Sequence, residues 1–113
     1  MEVLTLKNLE LNEVCELIKS EKDLFILDVR TKEEFKEGHI KGAYSLPLAK
    51  LAISDDDIIE YEDKPVLVYC EKGFRSVQAS EILENNGFSD LYHLEGGFSK
   101  FKNYKNSREL IEN

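Results

Sequence analysis

The sequence predicts an α/β protein with a buried parallel sheet, and two kinds of observation carry that expectation. Leu24-Phe25-Ile26-Leu27 and Val66-Leu67-Val68-Tyr69 are short, uninterrupted apolar runs, the pattern of strands covered on both faces. Each is followed within a few residues by a segment whose apolar positions recur at helical spacing. Strands alternating with helices in this way belong to parallel sheets with helical crossovers.

Taken in order, Glu2 to Lys7 carries Val3, Leu4 and Leu6 and is expected to form a first strand. Leu11, Val14, Cys15 and Ile18 then recur with the helical period, so Leu11 to Ser20 is an amphipathic helix with Cys15 on its apolar face. No cation lies beside Cys15 in the sequence, and it reads as core. Asp23 to Val29 is the second strand, ending in Asp28-Val29-Arg30. Thr31 to Glu34 fits a capping box that opens a short helix stopped near Gly38. Gly38 to Ala43 reads as a tight turn, and it feeds a brief strand from Ala43 to Leu46. His39 in that turn is expected to be a hydrogen-bonded turn residue, not a general base. Leu48 to Leu51 forms a helical turn, and the acidic stretch from Ser54 to Asp63 reads as a solvated face or a helix start. It lacks the alternating oxygen ligands and glycine of an EF-hand loop.

Pro65 can open the strand Val66 to Tyr69 but not interrupt it. Ala79, Ile82 and Leu83 share a helical face after Gly73, with Gly87 as the stop. A last strand is expected within Ser89 to Leu94. Gly96-Gly97 then implies a close backbone approach before another helix through Phe101. The tail from Lys102 reads as a docked short helix or a frayed end.

Composition narrows the function. A chain of 113 residues is expected to be one domain with a real core. Its net charge of -8 argues against nucleic acid or an anionic membrane as partner. There is no apolar run of membrane-spanning length and no signal-peptide pattern, and with two cysteines a reducing cytoplasm is the default setting. No paired Cys/His pattern marks a metal site, and no cofactor is implied.

The candidate site is Cys70-Glu71-Lys72-Gly73-Phe74-Arg75-Ser76. Cys70 ends a buried strand and the loop enters a helix, which is where open α/β sheets place their ligands. Loop amides, the helix dipole, Lys72 and Arg75 are expected to converge there and favour an anion. A thiol in that field is expected to shift toward thiolate and act as a nucleophile. Glu71 opposes that shift. A buried inert cysteine is the alternative reading, and a Cys15–Cys70 disulfide stays open on sequence grounds. Asp28 and Arg30 stand at the same sheet edge, where a structural ion pair or loop clamp is the favoured role.

Four landmarks in order carry a family resemblance: Asp28-Val29-Arg30; Gly38 to Ala43 with Leu46-Pro47; Tyr69 to Ser76; and Glu95-Gly96-Gly97. Together, over residues 4 to 104, they resemble the rhodanese-like domain. The resemblance implies a three-layer α/β/α fold on a five-stranded parallel sheet, with one rhodanese-like domain over 1–104 and a C-terminal tail over 105–113. It implies thiosulfate sulfurtransferase activity through a persulfide on Cys70, with Glu71, Lys72, Gly73, Phe74, Arg75 and Ser76 binding substrate. The partners implied are a small sulfur donor and a cyanide or thiol acceptor, with a protein acceptor as a further possibility. A persulfide carrier or docking module is the alternative. Cell-cycle phosphatases and arsenate reductases share the strand, loop and arginine but place five residues between cysteine and arginine. Here four intervene, a ring better suited to a sulfur than to a phosphate.

Overall fold

The computed structural model describes residues 6–113. Among the described residues, seven strands and five α-helices follow in the order β1 Lys7–Leu9, α1 Leu11–Ser20, β2 Phe25–Asp28, α2 Lys32–Glu37, β3 His39–Ile40, β4 Tyr44–Ser45, α3 Leu48–Leu51, β5 Val66–Tyr69, α4 Phe74–Asn85, β6 Leu91–Leu94, α5 Gly97–Phe101 and β7 Ile111–Glu112. Short 3-10 helices lie at Ile59–Tyr61 and Lys105–Leu110. The first strand expected at Glu2 to Lys7 falls largely on residues outside those described, and the observed strand begins at Lys7.

Five strands form one sheet in the order β1-β6-β5-β2-β4, all neighbours parallel. The central strand β5 is buried at every residue, as its uninterrupted apolar run requires. Because side chains alternate across a strand, the sheet separates two cores. Val66, Val68, Cys70 and Leu91 pack with Ala79 and Leu83 of α4 and Leu51 of α3 on one face. Leu67, Tyr69 and Leu94 pack with Val14 and Cys15 of α1 and Phe98 and Phe101 of α5 on the other. This is the expected three-layer α/β/α architecture.

Local signals set the element ends. Thr31 accepts from the Glu34 amide, and Glu34 reaches back to the Thr31 amide, which completes the capping box of α2. The segment after 104 is docked: Ser107 is buried, with its hydroxyl on the Tyr104 carbonyl at 2.8 Å. β7 then pairs antiparallel with β3 through His39↔Glu112 and Ile40↔Ile111. The strand expected within Ser89 to Leu94 forms as β6, but it is not the last, since β7 follows it, and Gly38 to Ala43 holds the two-residue strand β3 as well as a turn. The β3–β7 ladder rests on backbone pairing between segments about seventy positions apart in sequence, which leaves no periodic signature in either segment.

Candidate active site

Cys70 follows β5 directly, at the carboxyl edge of the sheet between the ends of β2 and β6. Only Glu71, Lys72 and Gly73 separate it from α4, so the chain must fold back sharply over the sulfur. Gly73 makes the reversal in the left-handed region, with φ of 102°, where a side chain is strained. The result is a cup of donors: the Gly73 and Ser76 amides donate to Cys70 Sγ at 3.1 and 3.3 Å, and the Ser76 hydroxyl lies 3.3 Å from it. Amide donors aimed at one sulfur stabilise negative charge on it. The thiol is fully buried (0% exposed), beneath its own turn. Both cysteines are free, so no Cys15–Cys70 disulfide exists.

The turn is braced from outside by α5. Phe98 N donates to the Cys70 carbonyl at 2.9 Å and Ser99 N to the Glu71 carbonyl at 3.0 Å. Gly97 permits that approach, since a Cβ there would lie 2.3 Å from Glu71 O. The Gly96-Gly97 pair thus performs the close approach that the sequence implies.

Arg30 is the loop clamp. Its guanidinium is buried, forked onto Asp28 with a shortest contact of 2.8 Å, and its remaining donors reach the Gly38 carbonyl at 2.7 Å and Glu71 Oε1 at 3.1 Å. It also lies 4.5 Å above the Phe98 ring. Burial alone would lower its pKa, but the hydrogen bonds and charge of Asp28 outweigh burial and raise it. The acidic Glu71 is therefore compensated by a fixed cation.

Lys72 and Arg75 are arranged differently from the expected convergence on the thiol. Lys72 is exposed. Arg75 makes a two-point pair with Glu34, at 2.7 and 3.0 Å. That pair holds the Glu34 carboxyl down at about 2. Phe74 projects into solvent, 80% exposed. His39 is tied down by the Phe35 carbonyl at 2.8 Å, faces Glu112 and stacks on the Phe35 ring. It is hydrogen-bonded, as the sequence anticipates, but it stands in β3 and not in a turn, because pairing with Glu112 of β7 extends the backbone there.

Sequence reasoning missed His93 and Asn8. Both sit on the α4 side of the sheet, at partnered positions of β6 and β1. His93 Nε2 is 2.6 Å from Ser76 Oγ and its Nδ1 is 2.8 Å from Asn8 Oδ1. The available signal was alternation: Leu91 and His93 share a parity in β6, so the histidine faces the same core as Leu91. Burial lowers the His93 pKa, against an opposing influence of the Gly73 carbonyl and Glu95. Among the described residues, no group of three or more His, Cys, Asp and Glu side chains is placed to hold a metal ion. No described helix is long and apolar enough to cross a membrane.

Residues 10–104 match the family described as Rhodanese-like domain. The chain belongs to the rhodanese-like family. Similar proteins include thiosulfate sulfurtransferase GlpE of Coxiella burnetii, 36% identical over 101 residues that cover 89% of this chain and 92% of that protein. GlpE of Shewanella oneidensis is 37% identical over 95 residues, covering 82% and 89%. The YqhL protein of Bacillus subtilis is 42% identical over 76 residues, covering 67% of this rhodanese-like chain and 59% of that relative's length. Among solved structures, SSP1007 of Staphylococcus saprophyticus superposes with a TM-score of 0.74 at 28% identity, covering 95% of this chain and 99% of that one. The rhodanese-like domain of Anabaena Alr3790 shares the fold with a TM-score of 0.81 at 24% identity, covering 100% and 80%.

Proposed function

We propose that this rhodanese-like domain is a thiosulfate-type sulfurtransferase that carries a sulfane sulfur as a persulfide on Cys70. The observation that supports it is the pair of amides, from Gly73 and Ser76, donating to the Cys70 sulfur. The Cys70 thiolate attacks the outer sulfur of thiosulfate, a new S–S bond forms, and the old one breaks with its electrons leaving on sulfite. Cyanide or a thiolate then takes the outer sulfur and returns Cys70 as thiolate, so the kinetics are ping-pong. Because Cys70 is fully buried, the turn Glu71 to Gly73 opens for each transfer. Lys72, Phe74 and Arg75 stand at its rim as the substrate-facing side chains, and the setting is the reducing cytoplasm.

A second reading, a persulfide carrier serving a protein acceptor, has one observation in its favour. Arg75, the cation nearest in sequence to the helix start, is already occupied by Glu34, which leaves fewer free charges for an anionic donor. Steady-state transfer from thiosulfate to cyanide, beside mass spectrometry after donor treatment, separates the two. Turnover that disappears in Cys70→Ser supports the enzyme; addition of one sulfur atom to Cys70 without turnover supports the carrier. Neither sulfur uptake nor turnover, with aryl phosphate hydrolysis lost in Cys70→Ser, overturns both.

A further inference from the structure

We propose that His93 is a positioning residue that takes the Cys70 proton through the Ser76 hydroxyl, so that the thiol ionises inside its closed cup without a water molecule. The inference deepens the sulfurtransferase reading and rests on Cys70 being the reacting sulfur.

The geometry forms one unbroken line. Cys70 Sγ is 3.3 Å from Ser76 Oγ, Ser76 Oγ is 2.6 Å from His93 Nε2, and His93 Nδ1 is 2.8 Å from Asn8 Oδ1. Asn8 Oδ1 only accepts, so it selects the tautomer with hydrogen on Nδ1 and leaves the Nε2 lone pair facing Ser76. The Ser76 hydroxyl donates to Nε2, and its own lone pairs face the thiol. In the transfer the Cys70 S–H bond breaks and its proton joins Ser76 Oγ, while the original Ser76 proton joins His93 Nε2. The products are a thiolate, a neutral serine and an imidazolium. Nothing enters or leaves. The hydroxyl then donates to the sulfur beside the Gly73 and Ser76 amides, giving the thiolate three donors.

The environment is polarised in the same sense. Around His93 lie Asn8 from β1, Ser76 from α4, the Gly73 carbonyl of the turn and Glu95 beyond β6; the carbonyl and Glu95 favour the imidazolium while burial opposes it. Around the thiol, Arg75 of α4 acts at a distance, and Glu71 is offset by Arg30, itself paired with Asp28 of β2. Lys72 is exposed at the rim. Bulk water does not reach the sulfur in this closed state, as its lack of exposure requires, and the internal line supplies the proton acceptor that water would otherwise be.

The test is the rate of Cys70 alkylation by iodoacetamide against pH, read by mass spectrometry of the Cys70 peptide so that Cys15 does not contribute. The plateau rate reports access and the midpoint reports proton affinity. His93→Gln keeps a hydrogen-bonding group beside Ser76 but cannot hold the proton. Its midpoint is expected to rise by about one pH unit, a roughly tenfold loss of thiolate below the midpoint. Ser76→Ala is expected to raise it as well, and the double variant no further than the larger single shift. An unchanged midpoint in folded His93→Gln overturns the relay, whatever Ser76→Ala does. Should His93→Gln fail to fold, the imidazole nitrogen resonances of the unaltered protein decide. The Nδ1–H tautomer, with a titration that changes in Cys70→Ser, supports the relay; the Nε2–H tautomer or an unchanged titration overturns it. Thiosulfate turnover is measured alongside. Turnover with an unmoved midpoint sinks the relay alone, while a shifted midpoint without turnover or sulfur uptake sinks the sulfurtransferase reading alone.

Discussion

Gly97→Ala tests whether the close approach of α5 shapes the cysteine turn. Gly97 has φ of 72°, and an added Cβ would lie 2.3 Å from Glu71 O and 2.7 Å from Lys72 N. Those are backbone atoms, so no side-chain rotation relieves the contact. The left-handed conformation costs alanine about 1–2 kcal/mol, and forcing a methyl into packed backbone adds roughly 1–3 kcal/mol. Relief by withdrawal of α5 lengthens the Phe98 N to Cys70 O and Ser99 N to Glu71 O bonds, each worth about 0.5–1.5 kcal/mol net. The expected loss is therefore about 2–5 kcal/mol. Gly42→Ala is the matched control, because Gly42 has φ of 81° and nothing within 4 Å of the new Cβ. It should lose the backbone strain only, about 1–2 kcal/mol. Urea unfolding of both variants gives the two values, and the Cys70 alkylation plateau shows whether the turn has been displaced. If Gly97→Ala loses no more stability than Gly42→Ala, and alkylates at the normal plateau, α5 does not shape the turn.

Arg30→Met removes the cation paired with Asp28, whose carboxyl is buried. It should cost about 3–5 kcal/mol in urea unfolding, and a loss under about 1 kcal/mol would show that the clamp is dispensable. Glu34 is depressed in the folded state from 4.5 to about 2 by Arg75. Its contribution is therefore complete above the unfolded value and vanishes as pH falls through the folded one. Partial exposure of the pair discounts that to roughly 1–2 kcal/mol. Glu34→Gln keeps the capping box, so unfolding measured from about pH 6 to pH 2 should fall more steeply for the unaltered protein than for the variant. Parallel curves would remove the pair from the account. Phe74→Ala should change stability by no more than about 0.5 kcal/mol, since the ring is exposed; any larger loss by thermal melting contradicts a rim position.

Much of this protein is legible in its sequence, for local reasons. The helix at Leu11–Ser20 is bounded as its apolar period implies, and the capping box of Thr31 and Glu34 forms between residues three apart. The turn after Cys70 is equally local: Gly73 alone decides that the chain can reverse and aim two amides at the sulfur. Arg30 was readable only as a clamp of unspecified target, and the missing fact was which loop stands 3.1 Å away.

By itself, the order of residues determined the alternation of strand and helix, the cysteine at a strand end and the glycines around it, because each depends on neighbours a few positions apart. Tertiary structure alone decided that Arg75 faces Glu34, that β7 closes on β3, and that His93 and Asn8 stand behind Ser76. Those pairings join segments separated by 17 to 85 positions, and a side chain's partner at that separation is chosen by strand register and layer packing, which single-segment periodicity does not encode.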